Sequence, residues 1–519
     1  MASLGVLAIA IAVAHQTIPH QAIHDALAGD GASAAGHVGH GNTGGGGGEL
    51  QDLSKFRGRS ECPKNAAPFI RDSFPEPNMR KSKNGILSVR LRAEMARAEI
   101  DGERYLTPSY NAKVPGPTLV FCPRDVLRVN LRNALDADDY DGEHAGDTNI
   151  HTHGFHVSPR RPQDNIFVIR KPGQKFQYQY KIPGDHIPGS YWYHPHVHGQ
   201  TNIQAYGGMA GAMVIRGGLD VQKGYRNIGT RNLVVQQTTL NDDGTTEQPG
   251  AQGPFIPHGP NGEEPTFLVN GHINPTIPIK PGELQRWRVF NATAGTFVKL
   301  GLDDQPMRLL ATDGNNLKHR KSSDSLTISP SSRREILVRG GPTGEAELAA
   351  LPFQQFGPGT RTDRETLATL DSRGGRVNDR MPPRKLNKQQ PDLRDRKVGS
   401  HHEIVYTQEP PNFFINGEQF EGPQDVMEQL DKDEVSEWTI TNNTPFWHTF
   451  HIHINDFQVI ERNGKPVHAQ RKDDNVAIAP GDSITMRYLP VKYTGKFVFH
   501  CHVLGHEDNG MMGVVRVHK

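Results

Sequence analysis

Apolar and polar residues alternate with a period of two along much of this chain, most clearly in three related phrases. PRDVLRVNLRN at 123–133, PGELQRWRVFN at 281–291 and KDEVSEWTITN at 432–442 share one layout. Each places an acid third (Asp125, Glu283, Glu434), alternates apolar residues, and closes on asparagine (Asn133, Asn291, Asn442). Val129, Trp287 and Trp438 hold equivalent positions. Such alternation, bounded by Gly and Pro, predicts half-buried strands joined by turns. The copies are a domain length apart, too far for a solenoid repeat, and long amphipathic helical patterns are scarce. The pattern predicts an all-β protein of three consecutive Greek-key β-sandwich domains.

Length agrees with that reading, since 519 residues suggest three or four domains. Gly 55 and Pro 38 make the chain turn-rich. The 58 basic and 57 acidic side chains nearly cancel, which argues against a protein built to hold nucleic acid. No apolar run reaches the roughly 18 residues that a membrane-spanning helix needs. Three cysteines are too few for a disulfide framework.

Residues 1–14 contain an apolar run ending in Ala12-Val13-Ala14, which reads as an export signal although no basic residue precedes it. An apolar tail without targeting meaning is the alternative. Residues 15–65, rich in His and Gly, read as a flexible segment. The three domains are then expected at 66–225, 226–370 and 401–519, with a solvated, charge-rich linker at 371–400.

The 26 histidines change the picture most. They gather in four clusters: His151-Thr152-His153, His194-Pro195-His196-Val197-His198, His448-Thr449-Phe450-His451-Ile452-His453, and His500-Cys501-His502 followed by His506. One histidine is ordinarily structural, but repeated H-x-H pairs wrapped around a cysteine point to copper, zinc or iron. Strand parity divides the set, because neighbouring side chains on a strand face opposite ways. His500 and His502 share one face and Cys501 takes the other; His451 and His453 likewise oppose His448. Two metal sites follow. One receives Cys501, His448 and His506, and Met511, or its neighbour Met512, can supply a weak axial sulfur, which makes a blue-copper donor set. The other collects eight histidines from the first and third domains. Zinc has no redox chemistry and so could not use the short covalent link between the two.

These motifs, and above all His500-Cys501-His502-Val503-Leu504-Gly505-His506-Glu507-Asp508-Asn509-Gly510-Met511, resemble the three-domain, laccase-like multicopper oxidases of bacterial type over residues 66–519. The resemblance implies cupredoxin-like domains and four copper ions. It puts type 1 on His448, Cys501, His506 and Met511, and type 2 on His151 and His451. The type 3 pair falls to His153, His194, His196, His453, His500 and His502. It also implies proton-handling roles for Glu507 and Asp164, and a reaction in which single electrons from a donor reduce dioxygen to water. Thr152, Thr449 and Ile454 stand where the family often has Trp, Pro and Gly, but no ligand is lost. His156 and His198 extend the motifs without a ligand role.

Phenols and aromatic amines are the expected donors. Cu(I), Mn(II) or Fe(II) are the alternative, disfavoured because only Met511 and Met512 cluster among the 11 methionines. The partners expected are dioxygen and a small phenolic or metal-ion donor, with no nucleic acid and no membrane. A monomer is expected because the first and third domains complete the cluster within one chain. Export would place the protein in the periplasm or outside the cell, where Cys62 and Cys122 could pair; two buried thiols are the other reading. The sequons at Asn291 and Asn442 read as chance.

Overall fold

The computed structural model describes residues 61–249, 258–303, 305–355, 362–386 and 390–519. The export segment and the His-rich stretch to residue 60 lie outside the described residues. Among the described residues the regular structure is six β-sheets, two short α-helices, Thr201–Gly207 and Leu504–Asp508, and two single-turn 3-10 helices. No helix among the described residues is long and apolar enough to cross a membrane.

The three repeated phrases become three eight-residue strands, Val126–Asn133, Leu284–Asn291 and Val435–Asn442. Each lies between one parallel and one antiparallel neighbour: Ile86–Ile100 and Lys175–Lys181, Gly229–Thr239 and Arg333–Arg339, Val398–Glu409 and Ser483–Tyr488. The alternation has the burial it anticipates, with Leu87, Val89, Leu91 and Ala93 turned inward along Ile86–Ile100. Three large cores, centred on Tyr178, Trp287 and Trp438, each draw on both sheets of their own third of the chain.

The asparagine closing each phrase is a corner pin. Asn133 Nδ2 donates to the carbonyls of Gly146 and Arg170, both at 2.7 Å. Asn291 Nδ2 reaches Thr296 and Ile328, and Asn442 Nδ2 reaches Phe446 and Ile478. In the last two copies the Oδ1 accepts the hydroxyl of the threonine two residues on, Thr293 or Thr444. Both sequons therefore exist for this pin, and both asparagines are buried.

The buried histidine clusters of the described residues lie in two of the three sheet pairs. In the first, the edge strand His151–His153 pairs with Gly189–His194. In the third, His448–Ile452 pairs with Gly495–Cys501. Their counterparts in the middle pair, Val298–Leu302 and Gly344–Leu351, hold the same place in the sheet order and carry neither histidine nor cysteine. The stretch 371–400 is less solvated than its composition suggests. Leu386 and Leu393 are fully buried, and Val398 already begins a strand. Cys62 and Cys122 form a disulfide with Cα atoms 5.2 Å apart.

Candidate metal centres

Eight fully buried histidines meet between the first and third sheet pairs. His151 and His153 lie on one strand, and His194 ends the next. His196 follows in the loop, where its backbone N–H donates to Asn149 Oδ1 at 2.6 Å. The third pair contributes His451, His453, His500 and His502. Rings from the two halves stack, His153 on His451 and His151 on His453, both at 3.9 Å between centroids. His196 Nε2 lies 3.2 Å from His500 Nε2, which in turn lies 3.3 Å from His453 Nε2.

The surrounding acceptors decide which nitrogens face inward. His151 Nδ1 donates to Asp164 Oδ2 at 2.9 Å, while Asp164 Oδ1 accepts the Thr152 N–H. His194 Nδ1 donates to the Pro195 carbonyl and His451 Nδ1 to the Asp474 carbonyl, both at 2.7 Å. Glu507, itself fully buried, spans two rings, with Oε2 at 2.9 Å from His500 Nδ1 and Oε1 at 3.3 Å from His196 Nδ1. Protons fixed on the outer nitrogens leave lone pairs on the inner ones. The Nε2 atoms of His151, His194, His451 and His502 are buried without a hydrogen-bond partner.

Burial holds His153, His194, His196, His451, His453 and His502 far below the usual histidine pKa, and neighbouring imidazoles push the same way. A knot of neutral imidazoles with inward lone pairs is repulsive by itself, and cations at its centre would relieve it. The donor set therefore fits metal, and all-nitrogen donors suit copper.

The second pocket lies across the same strands, as parity requires. His448 Nδ1 is 3.3 Å and His506 Nδ1 3.7 Å from Cys501 Sγ, and the two nitrogens are 3.1 Å apart. Thr444 Oγ1 gives its proton to Asn442 and so accepts from His448 Nε2–H at 2.7 Å. The corner pin of the third repeat thus turns the His448 lone pair onto the sulfur. Burial pushes the Cys501 thiol up to about 12 and the His448 imidazole down to about 3. A metal entering here would displace the thiol proton. Met511 is buried in the same core as Cys501, tied by Cys501 N–H to the Met511 carbonyl and by Met511 N–H to the His506 carbonyl. Met512 packs elsewhere, against Ile166, Val498 and Val514.

Family models described as multicopper oxidase match residues 92–219, 187–343 and 388–519. The chain belongs to the multicopper oxidase family. It is a copper-dependent oxidoreductase that uses dioxygen as acceptor. A multicopper oxidase of Staphylococcus haemolyticus is 28% identical, with 86% of this chain and 92% of that protein covered. A laccase of Bacillus subtilis is 23% identical over 78% of this chain and 88% of its own. Among solved structures, a Campylobacter jejuni multicopper oxidase titled a metallo-oxidase shares the fold. Its TM-score is 0.72 at 23% identity, covering 88% of this chain and 99% of that one.

The multicopper oxidase carries supporting residues that sequence reading did not single out. Asp474 receives both terminal nitrogens of Arg333, at 2.7 and 2.6 Å, and its Oδ1 lies 3.5 Å from His153 Nε2. Asn475 Nδ2 donates to the same Nε2 at 3.0 Å, and His153 Nδ1 has no hydrogen-bond partner. Gly154, at φ +79°, leaves room for this ion pair: a Cβ there would lie 2.3 Å from Asp474 Oδ2. Asp508 binds the first sheet pair to the third, accepting from Gly199 N at 2.8 Å and Asn202 N at 2.7 Å. His156 is a structural contact, its Nδ1 donating to the Ile454 carbonyl at 3.2 Å. His198 packs on Phe420.

Removing the acceptor behind His151 tests the supporting layer. Asp164→Ala leaves His151 Nδ1 and the Thr152 N–H without their partner. It is expected to weaken copper retention by about 10- to 100-fold, as outer partners of metal-bound histidines generally do. Copper analysis after dialysis against graded chelator reads this out, and wild-type retention would refute it.

Proposed function

We propose that this multicopper oxidase is a four-copper, laccase-type enzyme that takes single electrons from phenols and aromatic amines. His448, Cys501, His506 and Met511 would hold the type 1 ion, and His151 and His451 the type 2 ion. His153, His194 and His502, with His196, His453 and His500, would hold the type 3 pair. The grouping of ring nitrogens into those two triads, each within 4.8 Å, supports the assignment. Bound copper supplies reversible one-electron chemistry and the means of reducing dioxygen to water.

The chain's own residues supply the rest. Cys501 is bonded through the backbone to His500 and His502, so one short covalent path joins the two pockets. Reduction of dioxygen consumes protons, and Glu507 can hold or release one at Oε1 or Oε2 directly behind His196 and His500. Asp164 stands in the same relation to His151.

The observation carrying the donor class is the aromatic surround of the thiolate pocket. Phe413 stacks on His506 at 4.0 Å, half-buried Phe446 lies 6.2 Å from it, and half-buried Trp447 packs with Phe297 and Phe353 beside His448. Flat, apolar donors suit such a rim. The Campylobacter jejuni metallo-oxidase favours the second reading, oxidation of Cu(I), Mn(II) or Fe(II). The Cys62–Cys122 disulfide supports an oxidising, periplasmic or secreted setting. The presence of every ligand in one chain supports a monomer.

Oxygen uptake by the copper-loaded protein distinguishes the donors. Turnover of a dimethoxyphenol without added copper is expected. Uptake with chelated Cu(I) alone would replace the phenol reading with the metal-ion one.

A further inference from the structure

On the far side of the first sheet pair lies a cavity of about 420 Å³ that serves neither metal pocket. Segment 62–71, fastened by the Cys62–Cys122 disulfide, forms one wall, and the strands Met79–Lys81 and Thr118–Phe121 form another. Lys64, Arg71, Lys81 and Arg216 line it, and among the described residues no carboxylate does. Lys64, Arg71 and Lys81 are exposed and form no ion pair among the described residues. Arg216 is different, being only 8% exposed.

The Arg216 guanidinium is committed on two sides. Its Nε meets Asp220 Oδ2 at 3.0 Å, and Nη2 donates to the Ala67 carbonyl. Nη1 is buried with no acceptor, a costly omission for a charged donor. One ring gathers further charge around it: Phe69 has the Arg216 Cζ at 4.6 Å and Lys81 Nζ at 5.2 Å from its centroid. The nearby carboxylates are engaged or set back. Asp220 is shared with Arg286 and Arg288. Asp125 accepts from Ser82 Oγ and Cys122 N. Glu76 acts on Lys81 only through space. Burial, then repulsion from Arg71 and Arg216, holds the Lys81 ammonium below its ordinary pKa.

We propose that this cavity binds a doubly charged tetrahedral oxyanion, a phosphate or sulfate group, with the Arg216 guanidinium at its wall and Arg71 and Lys81 as its outer clamp. Guanidinium donors match such oxygens in geometry, and three cations around a dianion leave little net charge. Pro63, Ala66 and Val120 add apolar wall beyond the charges. The group is therefore either the free ion or the end of an ester whose organic part rests on that wall.

Calorimetric titration of the copper-loaded protein, at constant ionic strength set with sodium chloride, tests this. Inorganic phosphate and phenyl phosphate are the probes. Saturable binding of phosphate is expected, weakened at least about tenfold in Arg71→Gln/Lys81→Gln, which removes two charge-assisted contacts. Those two side chains are exposed and unpaired, so unfolding midpoint and oxygen uptake stay at wild-type values. Phenyl phosphate binding several-fold tighter than phosphate assigns the site to an ester; equal affinity assigns it to the free ion. Heats indistinguishable from chloride for both probes would overturn the proposal. So would undiminished affinity in the double variant, which would place any bound phosphate elsewhere, at the copper for instance.

Discussion

Oxygen uptake with every donor is expected to disappear in Cys501→Ser, while the histidine cluster keeps its copper. The sulfur faces His448 and His506 at 3.3 and 3.7 Å and becomes a soft, anionic donor once metal displaces its proton. It is also the atom through which the bonded path to His500 and His502 begins. A buried serine hydroxyl keeps the shape but is a far poorer copper ligand. The rate is expected to fall at least about a thousandfold, equivalent to about 4 kcal/mol of lost barrier lowering. Blue absorbance should vanish, and copper per chain should drop by one of the proposed four. Because parity turns His451, His453, His500 and His502 away from the Cys501 face, the other three should remain. A serine variant that still consumed oxygen at a comparable rate would sink the role given to Cys501.

A second large effect is expected far from any ligand in sequence. Arg333, on the middle domain, holds Asp474 of the third through two hydrogen bonds, and both residues are almost fully buried. Burial pushes the Asp474 carboxyl up, and the guanidinium pulls it back. Removing one partner of such a pair typically costs about 3–5 kcal/mol, since the other is left charged and dry. Arg333→Met is therefore expected to lower the unfolding midpoint of copper-free protein by several degrees and to release copper. The copper loss follows because the Asp474 carbonyl orients His451 and its side chain lies beside His153. Arg333→Met/Asp474→Leu should regain much of the stability without regaining tight copper binding. If the single variant unfolded and held copper like wild type, the pair would be a bystander.

These two experiments mark the boundary of what sequence alone discloses. The ligands are legible because metal chemistry restricts them to few residue types, and the two-residue period of a strand assigns each to a face. The repeat is legible because each copy must bury the same alternation and end on the same asparagine. Asp474 is not, since an acid in Lys472-Asp473-Asp474-Asn475 reads like any solvated turn. Its partner Arg333 is 141 positions away, and nothing local marks either. In the sequence Thr444 is only part of a sequon, whereas in the fold its hydroxyl orients His448. Leu386 and Leu393 do not stand out among the charges around them, because an isolated leucine carries no period. Asp164 and Glu507 stand out only through the family resemblance, and their contacts with His151, His196 and His500 are properties of the folded chain.

The division of the eight histidines between the two ends of the chain has a consequence in time. Half of them precede residue 200, and half follow residue 450. Synthesis proceeds from the N-terminus, so the early histidines wait through the whole middle domain before their counterparts exist. His500, Cys501, His502 and His506 emerge long after His196. A nascent or truncated chain thus presents scattered imidazoles but no finished pocket of either kind. Metal acquisition is consequently a late checkpoint, passed only once the third domain has been made and has closed on the first.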